Sequence, residues 1–161
     1  MDMKNTFSFP TDIGMLTAVC EDGCLRRLDF KTGNICETDD QVLNDTKTQV
    51  EEYLTGKRKE FDLPVKLDGT AFQKKVWLAL DKIPYGKTVS YEEIAETIGQ
   101  PTAQRAVGNA VGRNPLLLIV PCHRVIKKNG ETGNFGAGKE IKKLLLNLES
   151  PKDNQPLKYT S

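Results

Sequence analysis

Residues 116–126 read LLLIVPCHRVI. Five consecutive apolar residues, Leu116 to Val120, predict a short buried strand. Pro121, which has no N–H to give a ladder, stops it. Cys122 then stands at the mouth of that strand beside His123, the only histidine in the chain. Apolar support, a sharp stop and a Cys-His pair is the way a thiol nucleophile is held beside a base. The reading of the whole chain therefore works outward from Cys122.

Immediately upstream lie two helical patterns joined by a tight turn. Ser90-Tyr91-Glu92-Glu93 fits the S-x-x-E capping box and opens a helix through Ile94, Ala95 and Ile98. Gly99 closes it at the C′ position. After Gln100-Pro101, Thr102 is expected to cap a further helix, TAQRAVGNAVGR, that ends before Asn114-Pro115. Two helices joined through a glycine-containing turn make a helix-turn-helix candidate. The second is unusual, with Ala103, Ala106, Gly108, Ala110 and Gly112 in ten residues. Each glycine costs a helix about 1 kcal/mol relative to alanine, so smallness needs a reason. Tight packing on a neighbouring helix is one. Close approach to nucleic acid is the other, since a helix entering the minor groove, ~6 Å wide, needs a slim surface. Arg105 projects from the first turn.

Further out, Phe72, Val76, Trp77, Leu80 and Ile83 recur at helical spacing and predict a helix over 70–82 with one broad buried face. Pro84-Tyr85-Gly86-Lys87 is a turn signal. At the other end, Ile141, Leu144, Leu145 and Leu148 mark a core-facing helix over 139–148. Between it and Cys122 runs KKNGETGNFGAG, whose glycines let backbone approach something closely. That loop lacks the GK[ST] ending of a phosphate-binding loop, so nucleotide hydrolysis is not indicated.

The first third reads differently. Phe7 and Phe9 alternate ahead of Pro10, MLTAVC follows Gly14, and CLRRLDF follows Gly23, together a β-meander over 5–31. Residues 40–54 place Leu43, Val50 and Leu54 on one helical face, ended by Gly56. We expect a small α/β domain over 1–66, a second domain over 67–150 and a polar, proline-containing tail over 151–161.

Composition sets the limits. No apolar run approaches the roughly 18–20 residues needed to span a bilayer, and MDMKNTFSFPTD has no signal-peptide pattern. The cytoplasm is the expected compartment. Cysteines at 20, 24, 36 and 122 are unevenly spaced and expected as reduced thiols rather than disulfides. Cys20, Cys24 and Cys36 lack an evident fourth ligand for zinc, so no metal is expected. Charge is uneven: residues 1–67 carry 9 Lys/Arg against 13 Asp/Glu, and residues 68–150 carry 12 against 8. A basic second half suits a polyanion partner.

With PCHRVI preceded by a helix-turn-helix candidate and followed by TGNFGAG, the chain resembles the 6-O-alkylguanine-DNA alkyltransferases. IPYGKTVSYEEIA, RAVGNAVGRNP, IVPCHRVI and LLLNLE match that family's pattern in order and spacing, over about residues 10–150. The resemblance implies an α/β ribonuclease-H-like N-terminal domain followed by a mainly α, winged-helix-type DNA-binding domain. It implies a monomeric, single-turnover methylated-DNA–protein-cysteine methyltransferase that flips O6-alkylguanine, and also O4-alkylthymine, out of duplex DNA and takes the alkyl group onto Cys122. No cofactor is implied, because the damaged base is itself the donor, and no membrane.

The resemblance also assigns roles. Cys122 is the acceptor, and a free thiol of pKa about 8.5 needs a base. His123 is that base, and Glu149 orients it, giving a Cys–water–His–Glu relay. Arg105 fills the stack vacated by the flipped nucleotide. Tyr91 assists rotation at the 3′ phosphate and donates a proton to the leaving guanine. Thr102, Ala103 and Gln104 accompany Arg105 on the DNA-facing helix. Asn114 is the hinge between that helix and the active-site strand. Backbone carbonyls of Cys122 and Val125 read the guanine amino group, and Trp77, Phe135 and Gly136 belong to the pocket. Phe135 stands where the family commonly has tyrosine, and Gly136 where it often has serine, which bears on alkyl-size preference. Arg124 is read as structural. The additional N-terminal module that some adaptive-response relatives fuse to this unit is not expected.

Three rivals make different predictions. A non-enzymatic lesion binder would replace the acceptor cysteine. A Cys-His hydrolase would turn over many substrates and needs a peptide groove. A helix-turn-helix regulator leaves a Cys-His pair on a buried strand unexplained.

Overall fold

The structure, a computed structural model, describes residues 4–31, 33, 37–130 and 138–150. The chain divides into two compact units. One runs to Asp68 and takes in Pro115–Leu117; the other comprises Gly69–Asn114 and the chain from Leu118 onward.

In the first unit, β1 (Lys4–Thr11), β2 (Gly14–Glu21) and β3 (Cys24–Asp29) form an antiparallel meander, the order the alternating apolar residues predict. Asp22 and Gly23, both at positive φ (53° and 79°), make the β2–β3 turn. This is the Asp-Gly combination whose twist matches the strands it joins. A register shift between Val19 and Cys20 bulges the hairpin. Helix α1 (Gln41–Leu54) buries Leu43, Val50, Tyr53 and Leu54, while Phe7, Phe9, Leu16, Ala18, Leu25 and Leu28 are buried on the strands. Asp40 caps α1 by accepting the Leu43 N–H at 3.2 Å, and it also accepts from Asn5 at 2.8 Å.

Two further segments use the backbone of β3. Leu25 donates to Pro64 O at 2.7 Å and accepts from Lys66 N–H at 3.0 Å, and Arg26 pairs with Asp68. Leu28 donates to Pro115 O at 2.9 Å and accepts from Leu117 N–H at 3.0 Å. The sequence reading put 115–117 in the second domain. Those two bonds to Leu28 are why they belong with the first unit.

The second unit contains α2 (Ala71–Asp81), β4 (Val89–Ser90), α3 (Tyr91–Thr97), α4 (Gln104–Gly112), β5 (Val125–Ile126) and α5 (Lys139–Glu149). Thr70 and Gln73 form a complete capping box at the start of α2, and Ser90 caps α3 by accepting from Glu93 N–H at 3.0 Å. Gly99, at φ 77°, takes the left-handed position after α3. Helices α3 and α4 with their short turn form the helix-turn-helix. Trp77 of α2 is 2% exposed and donates its indole N–H to Ala110 O at 2.8 Å, which ties α4 to α2.

Two expectations are corrected. Residues 116–120 are not a strand: Leu116 makes a single isolated bridge to Leu28, and a turn follows. Leu118 sits at φ 71° with 1% exposure, a left-handed conformation that costs a leucine about 1–2 kcal/mol. A short, mostly buried apolar run does not reveal its backbone shape by periodicity, because burial is all the pattern reports. The strand lies five residues later, where β5 pairs in parallel with β4 through Val89–Val125 and Ser90–Ile126. Thr102 does not cap α4. A turn closed by Ala103 N–H to Gln100 O at 2.9 Å puts Ala103 in the cap position, with no side-chain cap bond.

Cys20 and Cys24 are free thiols. Burial, then the nearby Asp40 carboxylate, pushes the Cys20 thiol up to about 11, so it is inert at neutral pH. Cys36 lies outside the described residues. Among the described residues there is no cluster of three or more side chains that could hold a metal, and no helix long and apolar enough to cross a membrane.

Candidate active site

After the Leu118 turn the chain makes one turn of 3-10 helix, Cys122–Arg124. Cys122 N–H donates to Val120 O at 2.8 Å and Arg124 N–H to Pro121 O at 3.0 Å. A three-residue turn of this pitch sends successive side chains about 120° apart. Cys122, His123 and Arg124 therefore leave in different directions, and all three are buried, at 6%, 0% and 8% exposure.

Opposite them lies α5. Its innermost residues are Lys142, Leu145 and Glu149, spaced i, i+3, i+7 along one face. Glu149 is 3% exposed, and a carboxylate so buried is stable only when its oxygens are filled. His123 Nε2–H donates to Oε2 at 2.6 Å. Arg124 donates Nε–H to Oε1 at 2.7 Å and Nη2–H to Oε2 at 2.9 Å, a two-pronged pair. The Gly86 N–H adds a fourth bond, to Oε1 at 3.3 Å. Arg124 uses its remaining fork atom, Nη1, on Ile83 O at 2.7 Å and lies 5.7 Å from the centre of the Tyr85 ring. Tyr85 in turn donates its hydroxyl to Leu148 O at 3.3 Å. The Pro84-Tyr85-Gly86 turn thus holds both ends of the Arg124–Glu149 pair.

Because Nε2 carries the proton given to Glu149, Nδ1 is the basic edge of the neutral ring. Burial lowers the His123 pKa below the usual histidine value; Glu149 opposes this, and the Arg124 and Lys142 cations add to it. Burial raises the Cys122 pKa above the usual thiol value, opposed by a hydrogen bond from Asn114 and by the Lys142 charge. At neutral pH the resting pair is thiol and neutral imidazole.

Lys142 is 0% exposed. It donates Nζ–H to Val125 O at 2.6 Å and stands 6.0 Å from the centre of the Tyr91 ring. Burial lowers its pKa to about 8, with the Cys122 charge pulling the other way. Tyr91, the first residue of α3, is half-buried, and burial followed by the Cys122 charge raises its pKa. Sequence reasoning missed Lys142 because the apolar spacing of α5 placed its inner face at 141, 144, 145 and 148. The available signal was Glu149 itself. If Glu149 points inward, residues four and seven positions back, Leu145 and Lys142, must do so too.

The other expected residues fall as follows. Asn114 donates Nδ2–H to Val120 O at 2.8 Å, spanning the Leu118 turn from the end of α4. Val125 is buried and presents its carbonyl to Lys142. Trp77 is a buried tie between α2 and α4. On α4, Val107, Ala110 and Val111 face inward, while Gln104, Arg105, Ala106, Asn109, Gly112 and Arg113 are exposed. Thr102 is exposed in the preceding turn and Ala103 is half-buried. Phe135 and Gly136 lie outside the described residues.

The packing explanation for the small residues of α4 weakens here. A Cβ added at Gly112 meets nothing within 4 Å, and one added at Gly108 reaches the Tyr91 ring at an ordinary 3.9 Å. Nothing inside the described protein requires glycine at either place.

Two family models match the chain in order. The ribonuclease-like domain of 6-O-methylguanine DNA methyltransferase covers residues 5–67, and the DNA binding domain of the same protein covers residues 71–151. The chain is 51% identical over 117 residues to the inducible methylated-DNA–protein-cysteine methyltransferase of Bacillus subtilis, a match covering 73% of this chain and 65% of the relative. It is 49% identical over 110 residues to the enzyme of that name from Methanosarcina acetivorans, covering 68% and 70% respectively. Among solved structures it is similar to Mycobacterium tuberculosis OGT in complex with DNA, with a TM-score of 0.82 and 42% identity across 89% of this chain and 91% of that one. It also resembles an O6-methylguanine DNA methyltransferase from Methanococcus jannaschii, with a TM-score of 0.69 and 27% identity across 96% and 99%. With both of its domains matched in sequence, and whole-chain structural relatives besides, the chain belongs to the 6-O-methylguanine DNA methyltransferase family.

Proposed function

We propose that this protein repairs O6-alkylguanine, and also O4-alkylthymine, in duplex DNA by moving the alkyl group onto Cys122, once per molecule. The observation that carries the reading is the burial of a thiol next to a histidine whose far nitrogen is fixed by Glu149 at 2.6 Å, beneath a helix-turn-helix of this family.

The alkylated oxygen of guanine lies within the base pair, so the nucleotide must leave the stack, at a cost of a few kcal/mol. Exposed Arg105 on α4 is suited to enter the gap, with Thr102, Ala103 and Gln104 alongside it at the start of the helix. The extruded base then meets the Val125 carbonyl and the Cys122 thiol, with Phe135, Gly136 and Trp77 contributing to the pocket and its surroundings. The thiol proton passes through a water to Nδ1 of His123, and Glu149 steadies the imidazolium that forms. A sulfur–carbon bond forms as the oxygen–carbon bond breaks, the electron pair returns to the purine, and Tyr91 supplies the proton that purine takes up. Lys142 offsets negative charge on the sulfur during transfer. Asn114 keeps the Leu118 turn closed, so that Cys122 stays at its place relative to α4.

A thioether is a poor leaving group, and the relay has no second step to expel it, so the thiol is not regenerated. The protein needs no cofactor for this, acts as a monomer, and belongs in the cytoplasm with its DNA. Replacing sulfur by oxygen tests the proposal. Cys122→Ser should abolish removal of methyl from O6-methylguanine in a duplex oligonucleotide while duplex affinity stays within about threefold of wild type. Continued repair by that variant would defeat the reading.

A further inference from the structure

We infer that Arg124 is a positioning residue whose charge neutralises Glu149 and thereby keeps His123 an unprotonated base. The inference deepens the relay proposed above and rests on it.

The geometry is specific. Glu149 holds one negative charge in a buried site, and two groups compete for its oxygens: His123 on Oε2, and Arg124 on both. Were Glu149 to face His123 alone, a carboxylate 2.6 Å from a fully buried imidazole would favour imidazolium, since opposite charges at that separation stabilise the charged form. An imidazolium has no lone pair to accept the thiol proton. Arg124 removes that bias by pairing with the same carboxylate through two nearly parallel bonds, while Ile83 O fixes its third nitrogen. The carboxylate then orients the ring without holding a proton on it. Arginine suits this role because its charge persists at any relevant pH and its planar fork fits a carboxylate.

Among the described residues, the titratable and charged groups around the imidazole come from three places. Cys122 and Arg124 come from its own turn, Lys142 and Glu149 from α5, and Tyr85 and Tyr91 from the segments packed around that pair. Of these only Glu149 carries a negative charge at neutral pH, so Arg124 is placed on the group whose charge favours protonation of His123. Burial is the largest cause of the lowered His123 pKa, and Arg124 and then Lys142 lower it further against Glu149.

The single histidine makes the test direct, because its ring protons titrate in an NMR spectrum without competition from others. The variants are Arg124→Met, Arg124→Lys, Glu149→Gln and the double variant Arg124→Met/Glu149→Gln. Each is assayed for single-turnover methyl transfer from a duplex oligonucleotide between pH 6 and 9. In Arg124→Met the histidine should titrate at higher pH than in wild type. Transfer at pH 7 should fall by on the order of tenfold or more, and it should recover as pH rises. The double variant, again neutral at this position, should return the histidine titration and the shape of the pH profile toward wild type, with transfer slow at every pH because Glu149 no longer orients the ring. Arg124→Lys keeps the charge and loses the fork, so its histidine should stay low even if its rate drops; Arg124→Gln, neutral but still a hydrogen-bond donor, takes the place of Arg124→Met if that variant does not fold. A rate loss of equal size at every pH in Arg124→Met, with its histidine unmoved, would overturn the inference and leave Arg124 a purely structural pair. A separate control tests the relay on which this rests. If His123→Ala transfers as fast as wild type at every pH, the relay fails, whatever Arg124 does.

Discussion

Helices α4 and α5 belong to the same unit and depart from ordinary helix design in opposite directions. Helix α5 turns charge inward: Lys142 and Glu149 are 0% and 3% exposed, where a core would favour carbon. Helix α4 turns smallness outward: Ala106, Gly108 and Gly112 lie on or beside its exposed face, where alanine or a longer side chain would favour the helix more than glycine does. In α5 the atoms are needed for what they do to a neighbouring thiol and imidazole. In α4 they are absent, and the absence leaves room for a partner outside the protein. On the function proposed above, both helices give up stability for it, one by adding polar atoms to the interior and the other by withholding apolar ones from the surface.

The contrast can be broken most sharply at α5. Glu149→Gln leaves Arg124 and Lys142 as buried cations facing a neutral amide. Loss of one member of such a pair costs about 3–5 kcal/mol, and loss of the group that orients the base should slow transfer by about 10²-fold or more. Urea unfolding and single-turnover transfer check the two effects separately. A variant as stable and as fast as wild type would remove the functional reason for burying charge on α5.

A smaller effect tests Lys142 by its pH dependence. Its folded pKa of about 8 lies below the 10.5 of an unfolded lysine, so between those values the unfolded chain binds more protons. This group's contribution to stability is therefore full above about 10.5 and is lost as pH falls through about 8. Lys142→Met should be more stable than wild type relative to the trend of other groups, by up to about 3 kcal/mol below pH 8, and its advantage should shrink as pH rises toward 10. Denaturation curves at pH 7 and pH 9.5 for the two proteins measure that difference. A constant gap between them would mean that the ammonium is not held against its preference.

The smallest expected effect is on α4. The open space around Gly112 means that Gly112→Ala should raise stability by about 1 kcal/mol. The same methyl should weaken duplex binding, because it thickens the face that we propose meets DNA. Thermal unfolding and a binding titration at fixed salt read both. A variant that is more stable and binds as tightly would show that α4 is not kept slim for its partner.

These differences also explain what was legible in the sequence. The meander, α1, α2 and the capped start of α3 could be read because their apolar spacing and cap residues act locally. Cys122 and His123 were legible because their neighbours in sequence are their neighbours in space. The backbone of 116–120 was not, since a run buried at all but half-exposed Ile119 carries no period, and its course is set by distant bonds to Leu28 and by Asn114 across the turn. The start of α4 shifted by one residue because the turn at Gln100–Ala103 satisfies its own backbone before Thr102 can act. Lys142 was hidden for another reason. A lysine in a lysine-rich helix reads as solvated until a second residue on the same face, Glu149, is known to be inside. Arg124 reads as structural in the sequence, which does not show that its contacts fall on the carboxylate beside the histidine.

The most direct test of the whole account is the mass of the intact protein after incubation with a duplex oligonucleotide containing O6-methylguanine, followed by peptide mapping. The account predicts one added methyl group per molecule, carried by the peptide containing Cys122, with no further gain at higher DNA excess. Demethylated DNA accompanied by protein of unchanged mass, or methyl groups found on Cys20 or Cys24 instead, would contradict it.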